Sequence, residues 1–463
     1  MIDIAGKSLG LIAVLCLIAF PGCEKRGKER KAIGSPAAEA RPASLKEWSQ
    51  GNKELIRAEQ DFAFRLLQNL LVDAANRNQF ISPLSLQIAL GMAWMGARNA
   101  TADSMAAGLG WTGMPQESVS HKMAWLQEAL LAADPKVKME LANAIFHDTS
   151  FAPDSGFLEK NQKSYNATVR SLDFSNPKEA LEVINGWADA KTQGKIPRIV
   201  WNIDPSNLMA LCNAVYFKGA WSRGFDTGLT STGEFHLSID AKIPPTAGRR
   251  TTSAVYLNRT DSTEYFEDGE AQWARIPYGD SLFSMIVVLP KTGTALPAFS
   301  KSLTAGTWIQ SLSRFQPVKI RFSMPRHKIE ASYGEGLEKV LARMGMGIAF
   351  GGDADFSGIS KAIPFSIGAV VHKSIIETDE KGSEAAAVTV LRSLGAARVK
   401  ENPIPVLRLD RPYLFAIAEK QTGAILFLGA MNNPNPTDAH YSIRDGWLFQ
   451  QRMIPHQRSV DGL

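Results

Sequence analysis

The stretch EKGSEAAAVTVLRSLGAARVKENPIPVLRLDRP, residues 380–412, constrains the fold more than any other part of the chain. It carries a strand pattern with no neighbouring strand to pair with. Successive side chains of a strand point to opposite faces. Alternate residues from Ser383 are Ser383, Ala385, Ala387, Thr389, Leu391 and Ser393, none of them charged. The other parity holds Glu384, Ala386, Val388, Val390, Arg392 and Leu394, so both charges of the run share one face. One face can be buried and the other wetted. The interval is also long for a loop in a compact domain, where more than about 15 structureless residues signals function or disorder. A surface loop without order, or a short Ala-rich helix, fits the same letters, and parity alone does not separate these readings.

The rest of the chain supplies sheets such a strand could join. Apolar residues recur at helical spacing over 52–71, and a short strand, 78–81, runs into Ser82-Pro83, an N-cap and first-turn pair opening a helix to Gly96. Helical spacing also covers 100–109, 118–133, 177–191 and 333–344. Strand patterns fall at 137–146, 168–173, 208–217, 235–237, 272–278, 283–289 and 318–322, with a closing hairpin at 414–418 and 425–430. Helices and strands intermix without a βαβ rhythm, and no repeat is present, so the class is α+β.

The N-terminus carries Lys7 and an apolar run from Leu9 to Phe20, too short to span a bilayer and therefore an export signal. It ends in Phe20-Pro21-Gly22-Cys23, which is similar to a bacterial lipobox with Cys23 as the lipidated residue, although Phe20 and Pro21 depart from the usual pattern. Ordinary cleavage after a small residue is the alternative; either way the protein is exported. Residues 1–23 are thus a signal peptide and 24–50 a disordered tether, charged and then Ala/Pro-rich to about Ser44. Of the three cysteines, Cys16 and Cys23 lie in the signal and Cys212 in an apolar strand, so no disulfide framework exists. A net charge of +5 over 463 residues is mild and asks for no nucleic-acid partner.

Enzyme chemistry finds no foothold. H-E-x-x-H and a Walker loop are missing, G-x-S-x-G is spelled only inside the N-terminal export signal (Gly6 to Gly10), and the G-x-G-x-x-G letters from Gly108 to Gly113 follow a helix pattern rather than the strand a dinucleotide fingerprint requires. Ser357 in DFSGIS reads as a turn serine, and His147, His327 and His372 as hydrogen-bonded core residues rather than ligands or bases. No cofactor or metal is expected.

Residues 52–434 resemble the serpins, the serine-protease inhibitors. The resemblance rests on six segments in order: NQFISPLSLQIALGMAWMGARNAT (78–101), LCNAVYFKGAW (211–221), IPYGDSLFSMIVVLP (276–290), DADFSGIS (353–360), HKSIIETDEKGSEAAAVTV (372–390) and RPYLFAIAEKQTGAILFLGAMNNP (411–434). It implies one domain, 51–434, of three β-sheets with eight to nine helices and an exposed reactive-centre loop at about 380–411. A protease would cut this loop as substrate, and the cut loop would insert as a new strand, trapping the acyl-enzyme. About 14 residues at roughly 3.3 Å each span some 45 Å, against a domain of about 55 Å. Insertion would therefore carry the protease nearly from pole to pole. At about 1 kcal/mol per ladder bond it would release on the order of 10 kcal/mol, so the starting fold would be kinetically trapped.

Carried over residue by residue, Glu380, Gly382 and Ser383 match the proximal hinge, with Lys381 between them, and Ala385, Ala386, Ala387 and Thr389 match its small-residue run; Val388 is larger than usual. Ser82, Ser85, Asn213 and His372 match the shutter under the opening sheet. Trp221 and Arg326 match the breach, Arg326 replacing a common Lys as the partner of Glu380. Spacing from Glu380 puts the reactive bond at Ala396-Ala397, suited to an elastase-like or subtilisin-like protease. Counting back from Pro412 moves it to Arg398-Val399, suited to a trypsin-like one. A non-inhibitory serpin acting as a binding or chaperone-like protein is the alternative function. The protein is expected as a monomer, tethered to membrane through Cys23, with residues 435–463 an extension of unassigned role.

Overall fold

The computed structural model describes residues 44–237, 251–333, 336–362, 364–367, 370–383, 403–435 and the backbone of 441–442. The helix Pro83–Trp94 sits at its centre. Ser82 caps it by accepting from the Ser85 amide, Pro83 occupies the first turn, and all twelve of its residues are buried. A helix apolar all round has to be an interior element. Gly91 lets it approach closely, since a Cβ there would stand 2.9 Å from Tyr165 Oη and 3.1 Å from the Trp111 ring. The helix Lys53–Asp73 buries one face through Leu55, Phe62, Leu66 and Leu70.

Two hydrogen-bonded sheets flank this core. The larger runs in the order 79–81, 425–431, 413–419, 283–290, 271–277, 251–267, 316–325, 406–408, with 231–236 added on 251–267. The smaller runs 441–442, 327–333, 371–378, 382–383, 209–220, 137–148, 168–172. Three sheets were expected, but the strand Thr251–Glu267 pairs with 231–236, 316–325 and 271–277 in turn. Its length joins two of the three into one ladder. The closing hairpin, Tyr413–Glu419 with Ile425–Met431, is buried throughout. Its turn is held by Glu419, whose carboxylate accepts from the amides of Gln421 and Thr422, and by Gly423 at φ +72°.

Several sequence readings shift. Ten α-helices occur among the described residues rather than eight or nine, because short pieces such as Leu296–Ser300 count as helices. The last residues of the stretch expected as a tether, 24–50, are helical instead. Leu45–Gly51 is a helix capped by Ser44, with Leu45 and Trp48 buried and Trp48 stacked on Trp125. The helix expected over 333–344 starts only at Leu337, and Tyr333 instead ends the strand His327–Tyr333. The strands Thr251–Glu267 and Val371–Thr378 and the helix Ser155–Tyr165 carry no clear periodicity and were not expected.

Candidate functional site

The smaller sheet is held open at one end and closed at the other. Strands Met209–Ala220 and Val371–Thr378 run parallel and pair directly only at Cys212–Val371, Asn213–His372 and Ala214–Lys373. At the opposite end Gly382–Ser383 lies between them, with Gly382 paired to Ala220 and Ser383 to Gly219 and to Thr378. The chain leaves the strand, turns at 379–382 and re-enters the sheet. Asp379 shapes the turn. Its side chain accepts from the amides of Lys381 (2.8 Å) and Gly382 (3.1 Å), and its own amide donates to Gly382 O. Gly382 sits at φ +153°, and a Cβ there would overlap Gly219 O and Ala220 Cα. Only glycine fits both the conformation and the contact.

Around this turn the structure gathers Trp221, Arg326, Glu380 and Ser383. The Trp221 amide donates to Lys381 O and the Phe225 amide to Glu380 O, while Trp221 Nε1 donates to Asp379 O at 2.9 Å. The Glu380 carboxylate is buried and paired with the Arg326 guanidinium; it also accepts from Thr230 Oγ1 at 2.7 Å. Burial pushes this carboxyl up, but Thr230, its own backbone and Arg326 outweigh that and hold it below the usual value. Ser383 is buried with its hydroxyl 2.8 Å from Tyr278 Oη.

The second cluster lies where the two strands close. Ser85 Oγ donates to Asn213 Oδ1, Asn213 Nδ2 to Asn143 Oδ1 at 2.8 Å, and Asn143 Nδ2 to Tyr165 O at 2.9 Å. Ser82 Oγ donates to Leu426 O, and the Ser82 amide to His372 Nε2 at 3.1 Å. His372 Nε2 is therefore an acceptor, and burial lowers this imidazole to about 4. Ser374 Oγ adds a bond to Phe80 O on the helix side. Polar side chains thus link the central helix to both strands that would have to separate.

Tyr278, Thr230, Asn143 and Ser374 were missed from sequence, and no periodicity marks Tyr278 above Trp273 in the same strand. The remaining sequence-derived residues, Ala385, Ala386, Ala387, Thr389, Ala396, Ala397, Arg398, Val399 and Cys23, lie outside the described residues. His147 is half-buried rather than in the core, with Nδ1 3.0 Å from Phe151 O. Ser357 is exposed in a turn whose amide donates to Asp355. Among the described residues no helix is long and apolar enough to cross a membrane.

This geometry can be set beside known proteins. The family model described as Serpin (serine protease inhibitor) matches residues 57–434. An uncharacterized serpin-like protein of Thermococcus kodakarensis is 32% identical over 386 residues, covering 82% of this chain and 86% of its own. Serpin B6 of Macaca fascicularis is 34% identical over 388 residues, covering 82% and 99%. Among solved structures, the thermophilic serpin tengpin in its native state aligns with a TM-score of 0.72 at 28% identity, over 82% of this chain and 94% of that one. Human thyroxine-binding globulin in complex with thyroxine aligns equally well, TM-score 0.72 at 27% identity, over 82% and 99%.

Proposed function

The chain belongs to the serpin family, most of whose members are protease inhibitors, and we propose that it is a suicide-substrate inhibitor of serine proteases. Serpin loop insertion is itself a known instance of strand addition. The observation that carries the reading is the hinge: Gly382–Ser383 already pairs between strands 209–220 and 371–378. The next residues along, Ala385, Ala387 and Thr389, are small and uncharged on the parity that follows Ser383 inward. Full insertion then requires the three pairs at 212–214 and 371–373 to part, above the polar cluster that joins Asn213 and His372 to the central helix. The bait bond is Ala396-Ala397, with Arg398-Val399 second, and the target is correspondingly elastase-like or subtilisin-like before trypsin-like. Export, with Cys23 as a lipid anchor, completes the reading.

The test is incubation with an elastase, a subtilisin and a trypsin, followed by denaturing electrophoresis and mass spectrometry of the released peptide. An SDS-resistant complex and a cut at 396–397 are expected. Cleavage of the loop by all three without any complex would falsify the trap.

A carrier role is the second reading, favoured by the likeness to thyroxine-binding globulin. A cleft of about 500 Å³ beside the helix Lys53–Asp73, lined by Arg57, Asp61, Phe64, Arg65 and Lys301, is the space it would use. On this reading the loop is expected to stay out of the sheet after cleavage, with no rise in thermal stability.

A further inference from the structure

But for Tyr441–Ser442, the strand His327–Tyr333 ends the smaller sheet on one side. It pairs with Val371–Thr378 over seven consecutive residues without a bulge, and it contains no proline. Its charged side chains turn to the neighbouring strand, Lys328 to Glu377 at 3.9 Å and Glu330 to Lys373 at 2.7 Å. A long, regular outer strand is a template on which another chain can pair, and proteins blunt such strands with prolines, bulges, short length or outward charge. The opposite outer strand, Thr168–Leu172, has five residues against seven here.

What lies on the edge of His327–Tyr333 is the chain's own C-terminal extension. The backbone of Tyr441–Ser442 runs parallel to it, with Tyr441 paired to Ala331 and Ser442 to Ser332. A run of asparagines leads the chain out of the closing hairpin. The amides of Asn432 and Asn433 donate to Asn78 Oδ1 at 2.7 and 2.8 Å, and Asn78 Nδ2 donates to Asn433 O at 2.6 Å. Asn435 Nδ2 donates to Ser253 O, two residues from Val255, whose carbonyl accepts from the Arg326 amide. Asn435 is thereby fixed near the head of the strand that begins at His327. Six residue steps from Asn435 to Tyr441 provide about 20 Å of extended chain, whereas the four from His327 to Ala331 take about 13 Å.

We propose that the C-terminal extension is an edge guard. It pairs its own backbone with Ala331–Ser332 and so denies the outer edge of the smaller sheet to a strand of a second copy of this chain. The inference is independent of the inhibitory reading, because this edge lies on the far side of 371–378 from the gap a cut loop would enter.

The test is the full chain carrying Tyr441→Pro and Ser442→Pro together, which removes both extension amides at the pairing and alters no residue of the strands beside it. A parallel ladder in this register draws at least one outward bond from the amides of Ala331, Ser332 and Tyr333. In native-state hydrogen exchange at a dilution where both proteins are monomeric, protection of these amides is expected to fall about 5- to 30-fold in the variant. Amides of 371–378 are expected to keep theirs. Light scattering on a sizing column should then show the variant dimerising at concentrations lower by the same factor, because the guarded edge is open for only that fraction of molecules. As the dimer forms, protection at 331–333 should return. In a separate chain, Ser332→Cys with Ser442→Cys should be joined within one molecule by a thiol crosslinker of about 5 Å, the spacing of neighbouring strands. Unchanged protection at 331–333 in the dilute variant, or a crosslink found only between molecules, would overturn the pairing. A variant that loses protection yet stays monomeric at every soluble concentration would overturn the guard, as would dimers that leave 331–333 unprotected.

Discussion

Replacing Ser383 by arginine is expected to leave the loop cleavable and to abolish the SDS-resistant complex. Ser383 is 2% exposed, its neighbours are the backbones of Gly219 and Thr378, and its only space is the contact with Tyr278. A guanidinium entering that slot loses its water with only a neutral hydroxyl to accept from it, a cost of several kcal/mol. Trapping is a race between insertion and hydrolysis of the acyl-enzyme. Raising the insertion barrier by about 3 kcal/mol slows it more than a hundredfold, so hydrolysis wins and the protease is released. The measurement is the ratio of complex to cleaved inhibitor on a denaturing gel. Complex at the wild-type yield would mean that insertion does not begin at Ser383.

Acid is the second large effect. His327 and His372 are buried, and burial lowers both to about 4; in His327 the bond to Pro325 O opposes this only in part. With unfolded values near 6.5, the unfolded chain binds more protons than the folded one between about pH 6.5 and pH 4, so stability falls as the pH falls through that window. Each ring contributes on the order of 3 kcal/mol by its lower end. Glu380, held below the usual carboxylate value, adds to the loss further down. Glu59 acts with the opposite sign. Burial raises its carboxyl well above normal despite the bond from the Ile425 amide, so its contribution is full at low pH and is lost as the pH rises through its folded value. Together with Glu419, which burial also raises, it opposes the acid loss. Urea midpoints at pH 7.5, 5.5 and 4.5 should fall steadily. The fall should shrink by about half in His372→Asn. Equal midpoints at pH 7.5 and 4.5 would contradict the burial of both rings.

How much of this could be read from the letters depends on whether the cause was local. Ser82-Pro83 announces its helix because capping and the fixed proline angle act within one turn. The hairpin at 413–431 is legible because both strands are short, apolar and joined by a tight turn. Glu380 and Arg326 were paired through family resemblance, and the structure places them in contact. The strand Thr251–Glu267 was missed because its alternation is broken by Arg259, Asp261 and Glu264; in the fold Arg259 pairs with Asp261 along the strand and Glu264 with Arg275 of the neighbouring one. Tyr333 was given to a helix because the apolar spacing after it runs back through it, whereas its pairing with His372 decides for a strand. The re-entry of Gly382–Ser383 and its bond to Tyr278 are matters of register between segments 105 residues apart. No local pattern encodes that.

The central claim is that the loop can become a strand of the smaller sheet. Thermal unfolding of the intact protein and of the same protein cut once in the loop tests it most directly. New ladder bonds worth on the order of 10 kcal/mol would raise Tm by on the order of 10–20 °C in a chain of this size. A Tm that stays level or falls after a cut confirmed by mass spectrometry would show that the loop stays out and that the trap is not how this protein works.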